Sequence, residues 1–295
     1  MIELVEQPPT IELEEVLYAE KAVSVSVLRL DMIHPFISGS KWFKLKYNLE
    51  EFFRQKKKYL VTFGGAYSNH IIATAAAGKE YGIQTVGIIR GEELHENSNA
   101  ALQFASACGM LLFFVSRDDY RQIRKSQTVP GRFFSELRTN NYELYILPEG
   151  GSNTLAVKGC AEIANSISTD FDFILCVCGT GATLAGISIA LKANQQAIGI
   201  SVLEGEKFLE ADILKLNGGR KNFRLIHDYS FGGYAKTTEA LDLFCQNFSL
   251  HHGFIIEPVY TGKLFFALED LIRKYFFKPG SKIVAVHTGG VFNFK

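Results

Sequence analysis

Two hydrophobic periods alternate along this chain in a regular order. The stretch YLVTFGG (59–65) is apolar almost without interruption, as expected of a strand covered on both faces. AYSNH breaks it, and IIATAAAGKEYG then has the Ala-rich character of a buried helix. QTVGIIRG (84–91) reads as the next strand, residues 97–109 as a helix and MLLFFVS (110–116) as a strand. ELYILPEGG (143–151) is a further strand ending in a turn, and LAVKGCAEIANSI (155–167) a helix. Residues 173–191 repeat the whole unit: FILCVC is short and β-prone, GTGAT is a Gly/Thr turn, and LAGISIAL resumes with helical character. AIGISVLEG (197–205), a helix near 236–251 and the strand KIVAVHTGG (282–290) complete the series. Nearer the N-terminus, Trp42, Leu45, Leu49 and Phe52 recur at helical spacing, which predicts a helix from about Lys41 with Ser40 as N-cap. Such alternation predicts an α/β protein with a mainly parallel sheet, whose ligands bind in loops at the carboxyl ends of strands.

At 295 residues the chain can bury a large core and suffices for one or two domains. Lys+Arg and Asp+Glu balance at 31 each, which removes the electrostatic footprint of a nucleic-acid binder. Residues 173–191 have the length of a membrane span and no charge, but the turn in their middle divides them into strand, loop and helix. Cys108, Cys160, Cys176, Cys178 and Cys245 are odd in number and lack paired metal-ligand spacing. They are expected to be reduced core residues of a cytoplasmic protein. The acidic start MIELVEQPPTIELEE lacks the apolar segment of a secretory signal. No internal repeat, low-complexity segment or Pro-rich linker marks a domain boundary.

Lys41 is at odds with its position. The first helical turn favours acids, and Lys44, three residues on, adds a second positive charge on the same face. Both effects lower an amine pKa, although a lysine at a helix start is more commonly a solvated surface residue. GGAYSNH (64–70) offers Ser68 as the N-cap of a helix whose free N–H groups would suit a carboxylate or phosphate; a plain capped helix reads the same way. CGTGATLAG (178–186) is a stronger version of this device. Gly179, Thr180, Gly181, Ala182 and Thr183 give small residues, two hydroxyls and backbone donors around a phosphate-sized space. Leu184 stands where the third glycine of a dinucleotide fingerprint belongs, and no Walker lysine is present. EPVYTGK (257–263), FGGYAK (231–236) with Tyr234, and HTGG (287–290) are Gly-flanked polar turns, each ordinary alone. Together with Lys41 they favour a small-ligand enzyme over a binding or scaffold module.

The ordered set GSKWFK, SNH, PEGGSN (148–153), GTGATLAG, GGY, EPVYTGK and HTGG resembles the pyridoxal-phosphate enzymes of the tryptophan synthase β-like class, fold type II. Within that class it is most similar to the D-cysteine desulfhydrase and 1-aminocyclopropane-1-carboxylate (ACC) deaminase family, over nearly the whole chain. The resemblance implies two α/β domains, residues 1–44 with 145–295 and residues 45–144, with pyridoxal 5'-phosphate between them. A homodimer and a small amino-acid substrate are also implied; a metal, nucleic acid or membrane is not. By the same resemblance Lys41 holds the cofactor covalently, its amine kept nucleophilic by the helix end and Lys44. Asn69 bonds the cofactor's 3′ oxygen, Gly179, Thr180, Gly181, Ala182 and Thr183 surround its phosphate, and Lys44 and Thr261 adjoin it. Ser68, Asn69 and His70 hold the substrate carboxylate, while Tyr260 and Tyr234 line the substrate face as acid/base or positioning groups.

The implied reaction is removal of an α-proton by Lys41 followed by β-elimination, giving pyruvate, ammonia and, from D-cysteine, sulfide. Opening the ring of ACC would need a further nucleophile or acid, for which Ser68, Tyr260 and Tyr234 are candidates. Thr261 helps to separate the two outcomes. Characterised ACC deaminases carry Glu at this place, facing the pyridine nitrogen, and a hydroxyl cannot hold that nitrogen protonated as a carboxylate can. β-Elimination tolerates the weaker electron sink, so the desulfhydrase reading is preferred, with ACC deaminase as the alternative. A serine or threonine dehydratase of the same fold would lack SNH and PVYTGK; a cofactor-binding protein without turnover would not require Lys41, Ser68 and Tyr260. The chain departs from the family at Ser40, Tyr67 and Ile72, where Asn, Gln and Arg are usual. These changes reshape the carboxylate site and leave the substrate open.

Overall fold

The computed structural model describes residues 5, 7–137, 139–205, 208–290 and 292. Its strands are β1 (Thr10–Leu13), β2 (Ser24–Leu28), β3 (Tyr59–Gly65), β4 (Gln84–Arg90), β5 (Leu111–Val115), β6 (Leu144–Ile146), β7 (Phe173–Cys178), β8 (Gln196–Ser201), β9 (Phe223–Ile226) and β10 (Lys282–Val286). Its α-helices are α1 (Val16–Glu20), α2 (Ser40–Arg54), α3 (Asn69–Tyr81), α4 (Ala100–Ala107), α5 (Arg117–Ser126) and α6 (Gly131–Leu137), followed by α7 (Thr154–Asn165), α8 (Ala182–Ala190), α9 (Leu209–Leu216), α10 (Glu239–His252) and α11 (Thr261–Arg273). The strands form two sheets, one in the order β1-β2-β10-β7-β8-β9 and one in the order β5-β4-β3-β6. Every pairing is parallel except that of β1 with β2.

The apolar runs read from the sequence are the central strands, covered by helices on both faces. In β7, Cys176 and Cys178 point to the side of α7 and α8, while Leu175 and Val177 point to the side of α10 and α11. That two-residue alternation, with both sides buried, is why the run looks uniformly hydrophobic. The smaller sheet is sandwiched in the same way, with Tyr120, Ile123, Phe133 and Leu137 of α5 and α6 on one face and residues of α2, α3 and α4 on the other. The five cysteines are free thiols, and Cys108 alone among them is only partly buried, at the end of α4.

Helix α2 joins the two halves. Phe43 packs into the core of the larger sheet, whereas Leu45, Leu49 and Phe52 enter the core under the smaller one beside Leu60, Tyr145 and Leu147. Each of these buried side chains contributes roughly 1.5–3 kcal/mol of apolar burial. Backbone, not side chain, sets how closely α2 approaches α7. A Cβ on Gly159 would stand 1.8 Å from the carbonyl oxygen of Phe43, and one on Gly186 of α8 would stand 2.4 Å from Cβ of Cys160.

Several elements differ from the sequence expectation. Residues 10–28, 117–137, 209–226 and 261–273 carry structure where no element was predicted. α5 was hidden by its polar sequence, RDDYRQIRKS, which buries only Tyr120 and Ile123. α11 was hidden because the Pro, Thr and Gly of EPVYTGK look like a turn, whereas Thr261, Gly262 and Lys263 are the first turn of a helix. The strand expected over 143–151 pairs only through Leu144–Ile146, in the smaller sheet, so the division expected at 144/145 falls within it. No helix among the described residues is long and apolar enough to cross a membrane.

Gly159→Ala forces α2 away from α7 and is expected to cost at least about 2 kcal/mol. Thermal unfolding would show a fall in Tm of several degrees; an unchanged Tm would mean that α2 can shift without loss.

Candidate active site

Lys41 lies in the first turn of α2, but the helix is entered differently from the sequence expectation. Ser40 is not the N-cap. That position belongs to Gly39, at φ 65°, and Ser40 is the first helical residue. The reason is proximity to the loop after β10: a Cβ at position 39 would stand 1.8 Å from the carbonyl oxygen of Thr288, to which the Ser40 N–H donates at 3.3 Å. No acid occupies the first turn of α2. Burial, and then the charge of Lys44, pull the Lys41 amine down to about 7, with Glu257 acting weakly in the opposite sense. Lys44 itself is 6% exposed. An amine near 7 is substantially neutral, and so nucleophilic, at physiological pH.

The loops expected to carry chemistry do converge on this end of the sheets. After β3, Ser68 caps α3 as expected, its Oγ accepting from the Ile71 N–H at 3.4 Å. Asn69 begins the helix, and its side-chain nitrogen would lie 2.5 Å from a Cβ on Gly290, so α3 meets the HTGG turn here. The His70 ring points the other way. It is 2% exposed, bonded through Nε2 to Thr62 Oγ1 at 2.8 Å, and held down to about 3 by burial and then by Lys44 and Lys41. A neutral ring facing the interior leaves the backbone N–H as the group His70 can offer at the helix start.

At the end of β7 the chain turns through Gly179 and Thr180 into α8, whose N-cap is Gly181 at φ 85° with no side-chain cap. Thr180 Oγ1 is buried without a hydrogen-bond partner, although the Thr180 carbonyl accepts from Ser152 Oγ at 3.3 Å. Ala182 and Thr183 are buried in the first turn. An uncapped helix start, small residues and an orphaned hydroxyl are the donor set that a phosphate satisfies.

The opposite wall is the start of α11. Tyr260 and Tyr234 stand edge to face with ring centroids 5.9 Å apart, and Tyr260 reaches to 3.9 Å of a Cβ on Gly179. Burial raises both phenols, that of Tyr260 far above its ordinary value, so both keep their protons at neutral pH. Thr261 is fully buried, and its hydroxyl is already engaged, accepting from the Glu257 N–H at 3.0 Å and donating to the Glu257 carboxyl at 3.2 Å.

Glu257 and Lys263 were missed in the sequence. The Glu257 carboxyl accepts the backbone N–H groups of Val259, Tyr260 and Thr261 at 2.8–3.0 Å, taking the role that no N-cap side chain fills. Burial nevertheless lifts it to about 7, against those bonds. The signal was an acid just ahead of a helix start, masked because that helix itself went unrecognised. Lys263 is fully buried and donates to the carbonyls of Ser230 at 2.7 Å and Gly233 at 2.9 Å, fixing the turn that presents Tyr234. Two further groups have only through-space signatures. Asn48 links Tyr145 and Asn153 at 2.8 and 2.7 Å, tying α2 to the start of α7. Glu149 takes Tyr120 and Arg124 at 2.7 and 2.8 Å, while its charge and that of Arg90 both reach Tyr234.

Comparison with known proteins places the chain in a family. The family described as pyridoxal-phosphate dependent enzyme matches residues 4–289. A Pyrococcus furiosus protein provisionally named 1-aminocyclopropane-1-carboxylate deaminase is 32% identical over 90% of this chain and 84% of its own length. An Arabidopsis thaliana protein named bifunctional D-cysteine desulfhydrase/1-aminocyclopropane-1-carboxylate deaminase, mitochondrial, is 30% identical over 86% of this chain and 69% of its own. Among solved structures, an ACC deaminase homologue superposes with a TM-score of 0.82 at 26% identity, covering 99% of this chain and 91% of the other. A family match over residues 4–289 and a relative 32% identical over most of both chains lead to one conclusion: the chain belongs to the pyridoxal-phosphate dependent enzymes.

Proposed function

We propose that the protein is a pyridoxal-phosphate-dependent lyase that eliminates the β-substituent of a small amino acid, with D-cysteine as substrate and pyruvate, ammonia and sulfide as products. The observation that carries the reading is Lys41, held near neutrality in a buried site that contains a ready anion cradle. The residues fit the cofactor. Thr180 Oγ1 and the free start of α8 would take its phosphate with Gly179, Gly181, Ala182 and Thr183, Asn69 would bond its 3′ oxygen, and Lys44 and Thr261 would flank it. When bound, the cofactor supplies an electron sink for negative charge at the substrate α-carbon.

The chain's own groups then divide the work. Lys41 Nζ would hold the cofactor and serve as the base for the substrate α-proton; its depressed pKa keeps a lone pair available. Ser68 and the N–H groups of Asn69 and His70 orient the substrate carboxylate at the start of α3. Tyr260 and Tyr234, protonated and partly buried, serve as hydrogen-bond donors or acids toward the departing sulfur. Thr261 offers a neutral hydroxyl, backed by the Glu257 carboxyl, in the place expected to face the ring nitrogen. That weak support favours elimination over ring opening of ACC. Relatives whose names include D-cysteine desulfhydrase and ACC deaminase support the same pair of chemistries. The two sheets act as two domains flanking the site, and a homodimer in a reducing, cytoplasmic setting suits the free thiols.

Pyruvate release from D-cysteine, assayed beside L-cysteine, D-serine and ACC, tests the assignment; turnover of ACC in preference to D-cysteine would overturn it. Lys41→Ala is expected to remove both the visible absorbance of the bound cofactor and turnover, with far-UV circular dichroism unchanged. Capture of pyridoxal phosphate by cofactor-free protein, trapped with borohydride, should quicken as pH rises through about 7, because the amine loses its proton there. A rate that rises only near the ordinary lysine range would remove the case for a depressed Lys41. Lys263→Met keeps the side-chain volume but releases the turn before Tyr234. It should lower kcat by at least about tenfold while the cofactor stays bound, as steady-state kinetics and absorbance would together reveal.

A further inference from the structure

On the outer face of the larger sheet, where α1 starts and α10 ends, three metal-ligating groups come together outside the catalytic loops. Glu15 Oε1 lies 3.1 Å from Nε2 of His252 and 3.3 Å from Nε2 of His251. All three ligand atoms lie within 4.8 Å of one another. We propose that Glu15, His251 and His252 bind one divalent transition-metal ion of the zinc class, closing the N-terminal segment onto α10.

The spacing is that of a coordination shell. Zinc bonds of about 2.0–2.1 Å to nitrogen or oxygen place neighbouring tetrahedral ligands roughly 3.3 Å apart, close to the separation of the Glu15 oxygen from each histidine nitrogen. The second observation is independent of spacing. The His252 side chain is 7% exposed, and its Nε2 is sealed from solvent yet has no aligned hydrogen-bond partner despite its closeness to Glu15. A metal ion between Nε2 and the Glu15 carboxylate would satisfy that nitrogen more fully than the contact with Glu15 alone. Buried nitrogens of this kind otherwise carry a desolvation cost. The Tyr18 hydroxyl, also buried and without a partner, feels the charges of Glu269 and Glu15 and so belongs to the same neighbourhood.

The ligands are held in place before any ion arrives. The His252 ring packs at 4.3 Å from that of Phe248 one turn earlier and at 6.1 Å from that of Phe254, and it meets His251 nearly at right angles. Both histidines lie in the last turn of α10, where the helix dipole favours positive charge. Two imidazoles and one carboxylate form a borderline nitrogen and oxygen set suited to zinc and poorly suited to magnesium or calcium. A cleft of about 360 Å³ adjoins the cluster and is lined also by Phe244, Asn247 and Glu269, leaving room for a water as fourth ligand.

The test uses cofactor-loaded full-length protein, stripped with chelator and then dialysed against micromolar zinc chloride. The expected result is one zinc per chain by elemental analysis, tetrahedral d–d bands when cobalt(II) replaces zinc, and a Tm raised by zinc. His251→Ala, at an exposed side chain, and Glu15→Gln, which keeps the side-chain size, should each weaken zinc binding at least about tenfold while leaving turnover of the amino-acid substrate unchanged. Zinc retained equally by wild type and both variants would place the ion elsewhere and overturn the proposal. So would zinc absent from the wild type, which would leave the cluster as a histidine–carboxylate ion pair.

Discussion

Two lysines at the opening of one helix repel each other and the positive end of the helix, and burial removes the water that would screen them. Such an arrangement persists only where contacts indifferent to charge hold the helix. Here they are backbone contacts: Gly159 lets the Phe43 carbonyl come against α7, and Gly39 lets the chain pass against Thr288. With α2 fixed at both places, Lys41 starts from a crowded position beside Lys44, and desolvation followed by the Lys44 charge lowers its pKa. The lowered pKa at this position is therefore a property of helix packing before it is one of the side chain.

The same logic runs through the surrounding wall. Lys263 and Glu257 are ionisable groups largely withdrawn from solvent, and each is compensated by backbone: two carbonyls for the ammonium, three N–H groups for the carboxyl. These bonds fix the start of α11 and the turn before Tyr234, so the two tyrosines hold their mutual geometry without a bond to bulk solvent. By contrast, Thr180 Oγ1 and His70 Nδ1 are buried and unpaired. Of the two, the Thr180 hydroxyl stands at the uncapped start of α8, where an anion would complete it.

Helix α11 packs on the larger sheet in the same core as α10. Its first turn carries Thr261 in the wall of the candidate site, and two turns on Glu269 borders the cleft beside Glu15 and His252. One rigid element thus touches both the site of chemistry and the cluster of imidazoles. The outer layer was the part of the fold least visible in advance, since α1 is five residues long and α11 begins in a sequence that reads as a turn.

Sequence alone determined the parallel α/β architecture, because strands covered on both faces must be apolar at every position and the connecting helices must present a buried stripe. It also located the lysine, the SNH helix start and the GTGAT turn, since each is a local device whose chemistry depends on neighbours within a few residues. The tertiary structure decided the rest. Whether Ser40 or Gly39 caps α2 depended on a loop nearly 250 residues away, and whether the His70 ring faces a ligand or the core depended on Thr62. Glu257, Lys263, Asn48 and Glu149 acquire their roles from partners far along the chain, or from a helix whose start the residue types disguised. Desolvation, which sets the pKa of Lys41 and of Glu257, has no existence until the two sheets close around them.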